Sequence, residues 1–207
     1  MAVTKAFPKQ ESKPIVRPPA SRVLEALDRE TAALQTIAEA DLFCVLDDAS
    51  FACYQRFLER ICHFEYAVEV ELARAGLPEA FLIPRLKTRR LADDLLALGG
   101  PRGIDPMAAL SLELPKLRDP VDALAWIYVL QRNTLHHPRL YRALIPLLRT
   151  PLKLASRYLT SHSTDLYQRL HELGVVLDSA ITSQEQTDRL IAVARAAFRL
   201  QHAWYAR

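Results

Sequence analysis

The stretch Ala123-Leu-Ala-Trp-Ile-Tyr-Val-Leu-Gln-Arg-Asn-Thr-Leu-His-His137 decides the fold of this chain. It is almost entirely apolar until its last third turns polar. Asp119, Pro120 and Asp122 stand before it and predict a helix start, because aspartate accepts hydrogen bonds from free amides and proline suits the first helical position. A helix that is apolar on nearly all sides is buried. The stretch therefore predicts the central helix of an all-α domain.

The composition agrees with a helical fold. The chain has 207 residues, which suffices for one domain with a sizeable core. Half of its residues are hydrophobic and only 5 are glycine. The formal net charge is +3, from 27 basic and 24 acidic residues, which is too balanced to indicate nucleic acid or a membrane surface as a partner.

The first twenty residues differ from the rest of the chain. They hold four prolines among four regularly spaced lysines and arginines. Proline disfavours a helix, so we expect residues 1–20 to be a flexible, proline-rich basic tail. A docking arm for an acidic partner is the functional alternative. Residues 21–207 then form the helical domain.

Cysteine usage bears on the compartment. The three cysteines, Cys44, Cys53 and Cys62, are odd in number and nine residues apart, so on one helix they would alternate between opposite faces. We expect them to be reduced and mostly packed. The N-terminus has no signal-peptide core and no apolar run reaches membrane-spanning length. These features predict a cytoplasmic protein.

Capping residues and apolar periodicity predict about eight helices. Pro138 either continues the central helix or kinks it. The other predicted helices run from Ser21 to about Ala40, Phe51 to Ala75, Pro84 to about Leu98, Thr150 to Leu159, Asp165 to Leu173 or beyond Gly174, and Ser183 to the end. The last begins with a capping box, Ser183 to Gln186.

The central stretch also resembles a known family. Tyr128-Val-Leu-Gln-Arg-Asn-Thr-Leu-His-His137 is similar to the distal helix of bacterial heme oxygenases, where a tyrosine-valine-leucine lead-in precedes a glycine-rich run ending in a glycine pair. Four other segments resemble the family in the same order: 27–35, 54–72, 89–99 and 194–204. The resemblance implies a helical domain that holds heme between its first and central helices, with an axial histidine on the first. It also implies conversion of heme to biliverdin, carbon monoxide and iron, with electrons from an external donor.

The chain departs from the family at the residues that would do this chemistry. Gln35 stands where the resemblance implies the axial histidine, and a carboxamide is a poor ligand for heme iron. Asp28 stands where a basic residue would meet a heme propionate, and a carboxylate there would repel it. Arg132, His136 and His137 replace the distal glycines, whose lack of a side chain permits close backbone approach.

Three residues of the distal helix remain open to more than one interpretation. His136 and His137 would fill the space above a porphyrin, but neutral imidazole is also a good iron ligand, and histidines commonly end a helix. Asn133 could order a distal water or cap the helix end. On the second helix, Glu69 and Glu71 match a carboxylate-rich turn of the family and are expected to be solvated.

We therefore expect a scaffold that has lost heme ligation and catalysis and acts as a non-catalytic binding or regulatory protein, with no cofactor and an unidentified protein or small-molecule partner. The alternative is a heme oxygenase or heme-binding protein that converts heme to biliverdin, with the iron ligated by His136 or His137. The sequence leaves the partner and the oligomeric state open.

Overall fold

A computed structural model describes residues 21–100, 112–117, 119–161 and 164–206. The described residues form helices and no strand, which confirms the all-α prediction. The helices are α1 (Arg22–Phe43), α2 (Phe51–Leu72), α3 (Glu79–Leu82), α4 (Thr88–Ala97), α5 (Pro120–Thr134), α6 (His137–Leu144), α7 (Arg149–Leu154), α8 (Arg157–Thr160), α9 (Leu166–Ala180) and α10 (Gln184–Tyr205), with 3-10 turns at Cys44–Leu46 and Ile83–Arg85. The predicted tail, residues 1–20, lies outside the described residues.

Helix α5 lies at the centre of a single helical domain. All residues from Ala123 to Leu130 are buried, as the apolar stretch predicted. Helices α1 and α10 pack against α5 and against each other, and α9 also contacts α1 and α5. On the other side, α2 packs on α4, and the short α8 joins α4 to α6. The domain thus encloses α5 between helices from both ends of the chain.

The predicted helix starts are confirmed where a side chain caps its own helix. Ser21 accepts from the amide of Leu24 at 3.1 Å, and Ser50 accepts from Cys53 at 3.2 Å. Asp119 accepts from the first two free amides of α5 at 3.0 and 3.2 Å. At α10 both halves of the capping box are present. Each is a local interaction that satisfies an otherwise free amide.

Two helix starts were wrongly predicted, because distant carboxylates set them. Helix α4 begins at Thr88 and not at Pro84, since Glu69 of α2 accepts from the amides of Lys87 and Thr88 at 2.6 and 3.0 Å. The predicted helix from Thr150 to Leu159 is broken into α7 and α8. There the buried Asp94 accepts from the amides of residues 157 and 158 at 3.0 and 2.8 Å and starts a new helix.

The helix predicted from Asp165 continues past Gly174 to Ala180. Gly174 is buried where α9 meets the start of α1, and a Cβ there would lie 2.8 Å from the Cβ of Ser21. The close contact explains glycine inside a helix, where it is otherwise unfavourable. A second tie forms nearby, since Ser21 donates to Asp178 at 2.9 Å.

Among the described residues, no helix combines the length and apolar character that crossing a membrane needs. The three cysteines are free thiols, with Cys44 exposed, Cys53 half-buried and Cys62 buried. Burial raises the pKa of Cys62 to about 12.

Candidate functional site

The candidate site lies where α1 faces α5, and Gln35 of α1 is at its centre. The Gln35 carboxamide nitrogen has three acceptors within 3.2 Å: Thr31 Oγ1, Tyr128 OH and the carbonyl oxygen of Asp28. Its oxygen accepts a hydrogen bond from Nη2 of Arg132. Both ends of the side chain are therefore engaged, and two of the partners belong to the facing helix.

Tyr128 is the residue around which this network closes. Its side chain is fully buried, and its hydroxyl donates to Asp28 Oδ1 at 2.8 Å and lies 2.9 Å from Thr31 Oγ1. Burial raises the pKa of Tyr128, so the hydroxyl stays protonated at neutral pH. A neutral phenol can thus bridge the carboxylate of Asp28 and the carboxamide of Gln35.

Arg132 completes the network from the polar end of α5. It is half-buried, and its guanidinium contacts Gln35 while Nη1 lies 3.5 Å from Asp28 Oδ1. The carboxylate of Asp28 thus has a tyrosine hydroxyl and a guanidinium as partners within the protein. We name Asp28, Thr31, Gln35, Tyr128 and Arg132 the α1–α5 network. It joins two helices by direct contacts between their side chains.

The two histidines at the end of α5 point to different neighbours. His136 is half-buried; its Nδ1 lies 3.9 Å from Glu39 Oε1, and its ring meets Phe43 edge-on at 6.4 Å. Burial lowers the pKa of His136, with the nearby Glu39 carboxylate opposing the shift. At neutral pH its imidazole is therefore mainly uncharged.

His137 lies on the opposite side of the turn. It is buried against Tyr158 of α8, with ring centroids 4.4 Å apart. Asn133 is also away from Gln35: it is buried and forms a reciprocal amide pair with Gln201 of α10, at 2.7 and 3.4 Å. The four predicted site residues are Gln35, Asn133, His136 and His137, and of these the structure brings only Gln35 into the α1–α5 network. Arg132, which bonds Gln35, lies in the last turn of α5, just before His136.

A second polar cluster lies in the core and was missed from the sequence. Lys87 and Glu65 are each 2% exposed and form an ion pair at 2.9 Å. The ammonium also donates to Thr134 Oγ1 at 3.0 Å, and Tyr158 donates to Glu65 at 3.3 Å. This buried pair joins α2, α5 and α8 to the residue before α4.

A signal for the buried pair was present in α2. Its apolar stripe runs through Tyr54, Leu58, Ile61, Val68 and Leu72 at alternating spacings of four and three, and Glu65 occupies the position between Ile61 and Val68. A carboxylate in such a stripe is buried and needs a cation. The expectation that Glu69 is solvated was wrong: burial raises its pKa, and it caps α4.

The site offers no arrangement for a metal ion by itself. Within the parts of the chain that the structure describes, no three histidine, cysteine or carboxylate side chains are grouped to hold one. Gln35, which the resemblance in sequence puts at the axial position, presents a carboxamide that is hydrogen-bonded at both ends, and a carboxamide is not among the usual protein ligands of heme iron.

Comparison with known proteins gives a structural likeness. No protein-family model matches the sequence, and no curated protein matches it. A heme oxygenase from Leptospira interrogans superimposes with a TM-score of 0.73 at 16% sequence identity, over 89% of this chain and 98% of that one. At this identity the likeness concerns the fold. The chain therefore has a heme oxygenase-like helical fold, as the five segments of sequence predicted.

Proposed function

We propose that this chain is a non-catalytic binding or regulatory protein on a heme oxygenase-like scaffold, one that has lost heme ligation. The observation that carries the proposal is the hydrogen bonding of Gln35, at the position of the axial histidine, to Tyr128 and Arg132 of the facing helix. A porphyrin placed between α1 and α5 would have to displace these contacts.

Loss of iron ligation follows from the chemistry of the side chain. A carboxamide is not among the usual protein ligands of heme iron, which are histidine, cysteine, methionine and tyrosine. Tyr128 is no substitute, because burial keeps its hydroxyl protonated and it donates to Asp28. Asp28 adds a carboxylate at the position where a basic residue would meet a propionate, and the cation nearest to it, Arg132, is already paired with it at 3.5 Å.

The other face of the site supports the same proposal. Glycines would leave room for a ligand against the backbone of the distal helix. In this chain the first of them is Arg132, whose side chain reaches across to α1. His136 and His137 stand in place of the glycine pair that follows it in the family. The ring of His136 packs against Phe43, and the ring of His137 packs against Tyr158.

One observation favours the second candidate function, a heme-binding protein ligated at the distal helix. His136 keeps part of its side chain exposed, and burial holds its imidazole in the neutral form that binds iron. His137 is a poorer candidate because it is buried against Tyr158. Binding through His136 would require the α1–α5 network to open.

Titration with hemin separates the two candidates. We expect the purified protein to give no sharp, saturable Soret band, and the His136→Ala and His137→Ala variants to behave in the same way. His171→Ala is the matched control for nonspecific ligation, because His171 is an exposed histidine on α9. A stoichiometric Soret band that His136→Ala abolishes and His171→Ala preserves would replace the proposal with the second candidate.

Turnover gives an independent test. With hemin and a competent reductant we expect no biliverdin absorbance. Gln35→His should restore some heme binding without turnover, since Arg132 and the two histidines still crowd the distal side. Biliverdin should require His136→Gly and His137→Gly in addition. Production of biliverdin by the unmodified protein would contradict the proposal.

A further inference from the structure

The segment of residues 123–164 is positively charged throughout. It contains six lysines and arginines and no aspartate or glutamate, whereas the whole chain has 27 basic and 24 acidic residues. The balanced total therefore conceals a local excess of positive charge. Since exposed charges act over about a Debye length, roughly 10 Å, the local excess and not the total decides what this surface attracts.

Three of the six cations are available to a partner. Arg142 of α6 and Arg149 and Lys153 of α7 are exposed, and none of them forms an ion pair with a residue that the structure describes. The other three cations of the segment each have a carboxylate within 3.6 Å. The unpaired cations lie on both sides of the turn that joins α6 to α7.

Exposed apolar side chains lie in and after this turn. Nine large hydrophobic side chains are exposed among the described residues, and three of them fall within ten positions: Ile145, Leu147 and Leu154, at 42, 53 and 53%. The segment meets the needs of the core with other side chains, the buried leucines 140, 144, 148 and 152. Packing of the core therefore does not explain why residues 145, 147 and 154 are apolar.

We propose that this face of the protein binds the surface of an anionic lipid bilayer. We name it the α6–α7 surface, and its residues are Arg142, Ile145, Leu147, Arg149, Lys153 and Leu154. The cations meet the anionic head groups, and the apolar side chains enter the boundary between head groups and acyl chains. Such a contact lies in the plane of the membrane and needs no membrane-spanning helix.

The composition of this face favours a lipid surface over an acidic protein. Protein interfaces are enriched in tyrosine, tryptophan and phenylalanine and depleted of lysine. Between residues 139 and 157 no exposed side chain is aromatic, since Tyr141 is half-buried. Leucine beside lysine and arginine is typical of segments that lie in a membrane interface.

Sedimentation of the full chain with lipid vesicles tests the proposal. We expect the protein to bind vesicles of mixed phosphatidylcholine and phosphatidylserine, and not vesicles of phosphatidylcholine alone. High salt should weaken the binding, because it screens the attraction between the cations and the head groups.

Two substitutions test the two kinds of contact. Arg149→Gln should weaken binding about fivefold, which corresponds to about 1 kcal/mol for one cation near an anionic surface. Leu147→Ser should weaken it about five- to tenfold, because half of the leucine side chain is exposed and available for burial. Arg199→Gln on α10 and Val175→Ser on α9 are the matched controls at exposed positions and should leave binding unchanged.

Leu147→Trp reports insertion directly. With anionic vesicles we expect the fluorescence of this variant to shift to shorter wavelength, because the added indole leaves water for the membrane interface. Trp126 and Trp204 are only 2 and 9% exposed, so their emission should change little. The unmodified protein, which keeps both of these tryptophans, is the control.

Three results would overturn the proposal. The first is no sedimentation with the anionic vesicles at low salt, or equal sedimentation with the neutral ones. The second is binding that Arg149→Gln and Leu147→Ser leave unchanged, which would assign the contact to another part of the chain, such as residues 1–20 with their four basic residues. The third is binding that Arg149→Gln weakens and Leu147→Ser does not, since attraction by charge alone suits an acidic protein equally well.

Discussion

Removing one member of the buried Glu65–Lys87 pair is the most severe single perturbation that the structure predicts. Lys87 Nζ lies 2.9 Å from Glu65 Oε1, 3.0 Å from Thr134 Oγ1 and 3.3 Å from the carbonyl oxygen of Leu130. In Lys87→Met the Glu65 carboxylate would keep, among the residues that the structure describes, only the hydroxyl of Tyr158, at 3.3 Å. A buried charge left without its partner costs about 3–5 kcal/mol, so we expect a loss of that size.

A double variant isolates the cause of this loss. Glu65→Leu combined with Lys87→Met removes both charges and leaves apolar side chains of similar size. Replacing a whole buried pair is often close to neutral, so the double variant should lie within about 2 kcal/mol of the unmodified protein. The single losses would then be strongly non-additive.

Urea unfolding at pH 7, followed by the helical circular dichroism signal, measures these free energies. Arg74→Met is the matched control, because Arg74 is 69% exposed and pairs with Glu71 at 2.6 Å on the surface. Its loss should stay below about 1 kcal/mol. The reasoning is refuted if Lys87→Met costs no more than Arg74→Met, or if the double variant loses the sum of the single losses.

Three further predictions concern packing, titration and thiols. Gly174→Ala should destabilise the domain by about 1–2 kcal/mol in urea unfolding, because its Cβ would lie 2.8 Å from that of Ser21. Ser21→Gly alone removes the cap of α1 and the bond to Asp178, so the comparison is made within that background, where Gly174→Ala should cost much less. A Gly174→Ala variant more stable than the unmodified protein would contradict the contact. Burial lowers the pKa of His136 from its ordinary 6.5, so below that pH the unfolded chain binds more protons than the folded one. Stability measured by urea unfolding should therefore fall as the pH drops below 6.5 and through the lower pKa of the folded state. His136→Gln should flatten this slope, and an unchanged slope would assign it to another group. Mass spectrometry after alkylation of the folded protein at pH 7.5 should show that the exposed Cys44 is modified. Cys62 should be protected, because it is buried and its pKa is raised to about 12. The mass should be the same with and without reductant, and an internal disulfide would overturn the assignment of three free thiols.

The sequence by itself determined the helical class, the burial of α5 and most helix starts. These features depend on neighbours along the chain. An N-cap side chain such as Asp119 bonds amides two and three residues away, and apolar periodicity is a property of one helix. Local interactions can be predicted because they need no partner from another part of the fold.

The tertiary structure decided which side chains meet. Gln35 and Tyr128 are 93 residues apart in the sequence, and their hydrogen bond depends on how α1 packs on α5. Neighbouring residues His136 and His137 face different helices, because a turn between α5 and α6 directs successive side chains to opposite sides. The starts of α4 and α8 were mispredicted for the same reason: carboxylates on distant helices cap them, and their positions exist only once those helices have packed.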